Sequence, residues 1–116
     1  MSPTEPPPYT DSQIAEQLKP LRGWRYERGA IRRTFKTDGW PTTLMLVNAI
    51  GFYAEAADHH PDLQVSWGSV EVALNTHSAG GITAKDIELA RQIEQVALFE
   101  AGAPFRPSGK FKRTGI

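Results

Sequence analysis

The sequence predicts an α+β fold, a four-stranded antiparallel sheet with three helices packed on one face, in the order α-β-β-α-β-β-α. Three observations carry this reading. Two stretches, Trp24 to Lys36 and Leu63 to Leu74, alternate apolar and polar residues around short glycine-containing breaks, as antiparallel hairpins do. Three other stretches repeat apolar residues at three- and four-residue steps, the helical period. A chain of 116 residues is long enough for one core of two packed layers and too short for two such cores.

Residues 1–10 hold four prolines and almost nothing apolar, so they are expected to form a disordered arm. Asp11 or Ser12 can cap a first helix with Ile14, Ala15 and Leu18 on one side, and Lys19-Pro20 stops it. Trp24–Glu27 and Ala30–Lys36 flank Arg28-Gly29 as a hairpin. Asp38-Gly39 then breaks the chain, and Pro41 suits the first turn of a second helix, from about Trp40 to Asp58. Its apolar residues are Leu46, Val47, Ile50, Tyr53, Ala54 and Ala57. Pro61 closes that helix. Leu63, Val65 and Trp67, then Val70, Val72 and Leu74, give the second hairpin one apolar face. Thr83, three residues before Asp86 and flanked by Ile82 and Ile87, starts a third helix that buries Leu89, Ala90, Ile93, Val96 and Ala97. Gly102, Pro104 and Pro107 end it. One domain over 11–101 and a flexible basic tail over 102–116 follow.

Composition excludes several function classes. Thirteen Lys and Arg balance thirteen Asp and Glu, for a net charge of zero, so nothing recommends nucleic acid or an anionic membrane as partner. Absence of cysteine removes disulfides, thiolate chemistry and cysteine-held metal clusters. The start lacks the basic and apolar regions of a signal peptide, and no apolar run could span a bilayer. A cytoplasmic location is expected.

All three histidines, His59, His60 and His77, fall between Glu55 and His77, beside Asp58 and Asp62. Imidazole both donates and accepts protons near neutral pH, so such a group can protonate a leaving hydroxyl and remove a proton elsewhere, with no metal or cofactor. A dehydratase needs that pair of transfers. Glu55 lies one helical turn before His59 and could orient it. The plain alternative is a helix-ending turn, His59-His60-Pro61, with exposed imidazoles and His77 at a strand end; spacing alone leaves both readings open. A metal site is disfavoured because adjacent side chains in extended chain diverge. Ser78-Ala79-Gly80-Gly81 matches no phosphate-loop pattern and reads as a strand-to-helix turn. Trp24 and Trp67 fit the core better than a ligand stack.

Glu55-x-x-x-His59-His60-Pro61, the aromatic Trp67, Val70 and Val72, Thr76-His77, Gly81-Ile82-Thr83 and Asp86 together resemble the pterin-4a-carbinolamine dehydratases, as do Gly23-Trp24 and the Ile31 to Phe35 strand. The likeness covers about Ile14 to Val96. It implies dehydration of a 4a-hydroxytetrahydropterin to the quinonoid dihydropterin, and a homo-oligomer, dimer or tetramer, built through helix and strand contacts. It makes His59 and His60 the acid/base pair, His77 a third imidazole near the pterin and Glu55 their carboxylate partner. Asp58, Pro61, Asn75 and Thr76 would shape or hydrogen-bond the site, and Trp67 would wall it.

Two stretches depart from the family pattern. Lys36 to Leu46 differs from the aromatic-rich segment of typical members, and Trp67-Gly68-Ser69 replaces a polar turn. One branch of the family resembles the enzyme but serves as a Rubisco assembly factor in carboxysome-bearing bacteria, with a disrupted pterin cleft. Rubisco is the partner under that alternative, in which Trp40 or Met45 could fill the cleft. The intact histidine and glutamate motif favours the enzyme.

Overall fold

A computed structural model describes residues 6–99. The expected tail at 102–116, the close of the third helix at Gly102 and the first five residues of the arm lie outside them. Helix α1 spans Asp11–Leu18, strands β1 and β2 span Arg25–Glu27 and Ala30–Lys36, and helix α2 spans Trp40–Ala57. Strands β3 and β4 span Asp62–Ser66 and Ser69–Leu74, and after a single 3-10 turn at His77–Ala79, helix α3 spans Ala84–Phe99. The strands form one antiparallel sheet in the order β1-β2-β4-β3, and the predicted architecture holds.

Local chemistry sets each boundary. Thr10, not Asp11 or Ser12, caps α1: its hydroxyl accepts from the Gln13 N–H, and the Gln13 side chain accepts from the Thr10 N–H in return. The β1–β2 turn is two residues, Arg28 (φ 51°) and Gly29 (φ 75°), both left-handed as a twisted hairpin of this length requires. Asp58, also left-handed (φ 53°), ends α2 where glycine is more usual, and the His59 N–H reaches back to the Ala54 carbonyl at 3.1 Å. This closing turn, three residues before Pro61, is what turns the chain out of the helix.

The core lies between the sheet and the helices. Ile31, Phe35, Val70, Val72 and Leu74 from the inner sheet face are buried against Leu46, Ile50 and Ala54 of α2 and Ile87, Ala90 and Ile93 of α3. The predicted stripe of α2 is confirmed at Leu46, Ile50 and Ala54. Val47 and Tyr53 are only half-buried, and Ala57, expected inside, is exposed in the last turn. On α3, Val96 and Ala97 are likewise half-buried. β3 is an edge strand, so the apolar face of the second hairpin is covered along β4 but Val65 stays exposed.

An arginine interrupts the inner face. Arg33 pairs with Glu94 of α3 at 3.2 Å and lies over the Phe35 ring at 4.5 Å, while Glu94 also accepts from the Trp24 indole N–H at 2.7 Å. One carboxylate of α3 thus ties down β2 and the residue that leads into β1. Residues 6–10 run back along the domain: the Tyr9 N–H donates to the Ile82 carbonyl at 2.7 Å, and Tyr9 packs on the core.

Candidate active site

The site forms where α2 ends and the second hairpin opens. The closing turn at Asp58 carries the chain into His59, His60 and Pro61 and then β3, whose Asp62 pairs with Ala73 of β4. Antiparallel pairing therefore brings the chain leaving β4, at Asn75, Thr76 and His77, beside the chain entering β3.

Each histidine of the pair has its own carboxylate. His59 Nε2 lies 2.6 Å from Asp86 Oδ1, with the imidazole only 11% exposed and Asp86 fully buried. His60 Nε2 lies 2.8 Å from Glu55 Oε1, but here both partners are open to solvent, at 56% and 80%. The Glu55 partnership read from sequence is therefore with His60, not His59. His77 opens the 3-10 turn and is exposed, with no hydrogen bond from its ring among the described residues.

The remaining predicted residues divide. Thr76 is buried, and its hydroxyl donates to Asp86 Oδ2 at 2.7 Å. The Asn75 amide donates to the Gly29 carbonyl at 2.8 Å across to the β1–β2 turn, which leaves its Oδ1 buried without a partner among the described residues. Asp58 is exposed and Pro61 half-buried at the mouth of the same turn. Trp67 is elsewhere. It follows β3, takes a hydrogen bond on its carbonyl from the Thr43 hydroxyl at 2.8 Å, and lies against Gly39. That is the amino end of α2, whose 18 residues make an axis of roughly 27 Å with the histidines at its other end. Within one chain the structure does not bring Trp67 to them. Trp40 and Met45, on the exposed side of the same half of α2, do not fill the histidine site either.

Two residues were missed by sequence reasoning as parts of this site. Asp86 and Thr83 read as a helix cap, and they are one: the Thr83 N–H donates to Asp86 Oδ2 at 2.8 Å, and Thr83 Oγ1 accepts from the Lys85 N–H. No spacing rule ties position 86 to position 59, so only the packing of α3 against the end of α2 could reveal the second use of Asp86. His59 also edges a groove of about 640 Å³ between α2 and α3, with Tyr53, Ala57, Lys85 and Leu89 among its walls; neither His60 nor His77 lines it. Among the described residues, no cluster of three or more histidine and acidic side chains is placed to hold a metal ion, and no helix is long and apolar enough to cross a membrane.

Comparison with known proteins follows the same lines. Residues 7–96 match the family model described as Pterin 4 alpha carbinolamine dehydratase. A relative from Aquifex aeolicus that bears the family's dehydratase name is 45% identical over 87 residues, 75% of this chain and 88% of that one. One from Nocardia farcinica with the same name is 43% identical over 88 residues, 76% and 93% of the two chains. Among solved structures, a transcriptional coactivator/pterin dehydratase from Brucella melitensis superimposes with a TM-score of 0.74 at 36% identity, covering 78% of this chain and 98% of that one. A pterin dehydratase-like protein identified as a RuBisCO assembly factor in the alpha-carboxysome shares the fold, with a TM-score of 0.57 at 16% identity over 66% of this chain and 90% of its own.

Proposed function

The chain belongs to the pterin 4 alpha carbinolamine dehydratase family, and from that premise we propose that it converts a 4a-hydroxytetrahydropterin to the quinonoid dihydropterin and water by histidine acid/base catalysis. One protonated imidazole donates to the 4a-hydroxyl, which leaves as water. A neutral imidazole takes the proton of the ring nitrogen, and the electron pair of that N–H bond forms the new double bond. The reaction needs two groups in opposite protonation states at one place.

The observation that carries the reading is the pair of histidine–carboxylate contacts at one end of α2, His59 with Asp86 and His60 with Glu55, beside the strand end that delivers His77. Their environments differ, one buried and one solvated, which is how two like groups come to serve as acid and base. The buried, unpartnered Oδ1 of Asn75 offers an acceptor to a pterin N–H. Asp58, Pro61 and Thr76 shape the opening, and no cofactor enters.

A homo-oligomer belongs to the same proposal. Leu44, Met45 and Phe52 expose apolar surface along α2, and Phe52 is 68% exposed, a pattern that marks association; β3 adds a sheet edge unpaired among the described residues. That surface is also what an assembly factor for Rubisco would use, the second reading. Identity near 45% to dehydratase-named relatives, against 16% to the assembly factor, favours the enzyme. The test is the rate at which the purified protein dehydrates freshly generated 4a-hydroxytetrahydropterin, compared with the spontaneous rate; a rate no greater than the spontaneous one turns the account to assembly.

A further inference from the structure

We propose that Asp86 is a positioning residue that fixes the tautomer of His59, so that the cap of α3 decides which nitrogen of that imidazole reacts. The assignment rests on the dehydratase reading for its consequence in catalysis, but not for its geometry.

Capping α3 requires one carboxylate oxygen at most. Oδ2 fills that need by accepting from the Thr83 N–H at 2.8 Å, and it accepts as well from the Thr76 hydroxyl at 2.7 Å. Oδ1 is left over, and it faces His59 Nε2 at 2.6 Å. A fully buried carboxylate is costly to keep unless every lone pair with a neighbour has a donor.

The donors on Oδ2 can be ordered from the hydroxyl contacts. The Thr76 hydroxyl spends its proton on Asp86, so at the 2.9 Å contact between the two threonine hydroxyls the proton comes from Thr83. Thr83 Oγ1 in turn accepts the Lys85 N–H at 3.1 Å. Both of the hydrogens that reach Asp86 from this chain end on Oδ2, and on an ionised Asp86 Oδ1 is an acceptor as well. The group facing Oδ1 must therefore donate, and His59 carries its proton on Nε2. Nδ1 is then the nitrogen with the free lone pair, the atom able to take or relay a substrate proton. A proton arriving there creates an imidazolium beside a fixed, water-excluded negative charge. His60 has no such constraint, because Glu55 is exposed and water can take its place beside the ring, which leaves either tautomer available.

The substitution Asp86→Asn separates positioning from capping. Its amide oxygen, placed at Oδ2, still accepts from Thr83 and Thr76. Its NH₂, placed at Oδ1, donates to Nε2 and so moves the ring proton of His59 to Nδ1. Long-range ¹H–¹⁵N spectra of the histidine rings at neutral pH read the tautomer directly, alongside kcat and KM. We expect His59 of the wild type as the Nε2–H form and of Asp86→Asn as the Nδ1–H form, with kcat lowered about 100-fold and KM changed less than threefold. Thr83→Val, which weakens the cap and leaves Oδ1 alone, keeps the wild-type tautomer. An Nδ1–H tautomer in the wild type overturns the assignment by itself, even if Asp86→Asn fails to fold. So does an Asp86→Asn protein with the Nε2–H tautomer and undiminished kcat. A wild type without dehydratase activity defeats the enzymatic reading instead, and the spectra still decide what Asp86 does.

Discussion

His60 and Glu55 face each other around the end of α2, Nε2 2.8 Å from Oε1, with both side chains more than half exposed. A contact so open to water is screened and fluctuating, worth far less than the buried contact of His59. Removing His60 should lower kcat by 10² to 10⁴, roughly the range for loss of a general acid or base. Glu55→Gln should cost about tenfold or less. Steady-state kinetics on the two variants check the ranking, and a Glu55→Gln loss as large as that of His60→Ala contradicts it.

Gly23 should be intolerant of a side chain. Its φ is +92°, and a Cβ there would meet the Arg33 guanidinium, which is held by Glu94 and Phe35. Gly23→Ala should destabilise the fold by about 1–3 kcal/mol through backbone strain and displacement of that arginine. Gly51, where a Cβ meets nothing within 4 Å, should accept alanine with no loss and a gain of up to about 1 kcal/mol, because alanine is the better helix former. Urea titrations of the two variants measure the contrast.

Self-association should depend on the outer side of α2. Phe52 is 68% exposed and makes its ring contact only with Tyr53 among the described residues, so Phe52→Glu should leave the monomer fold intact while lowering the assembly state. Sedimentation velocity reads the mass, and a wild type that sediments as a monomer defeats the oligomer proposal.

On the open face of the sheet, Arg25 bonds Glu27 at 2.6 Å and Glu71 at 2.7 Å. The hydrogen bond from Arg25 holds the Glu27 carboxyl below its ordinary value of 4.5. A carboxyl depressed in the folded state adds stability above its unfolded pKa, and that stability is lost as pH falls through the lower folded value. Thermal melts of Glu27→Gln and wild type should therefore differ slightly at neutral pH and converge as the pH falls through the lowered folded value of Glu27, and also in 1 M salt.

Hydrophobic period and turn chemistry made the fold legible. Arg28-Gly29, Pro41 and Thr83 with Asp86 mark boundaries by local preference, and local preference is what a sequence displays. The histidine motif was legible for the same reason, since His59, His60 and Glu55 are neighbours along the chain. Partners set by packing were not. Asp86 meets His59 only because α3 lies against the end of α2, and Trp67 is carried away from the histidines by the full length of β3. The exposed side of α2 was hidden too: a helix apolar nearly all round gives no sign of which part the sheet will cover.

The central claim is tested most directly by dehydration of freshly generated 4a-hydroxytetrahydropterin by wild type, His59→Ala and His60→Ala, each verified as folded by circular dichroism. The account predicts a wild-type rate well above the spontaneous one and a fall of at least about 100-fold on either substitution. Wild type and variants sharing the spontaneous rate would contradict it, and the paired histidines would then be scaffold on a protein that acts through its surface.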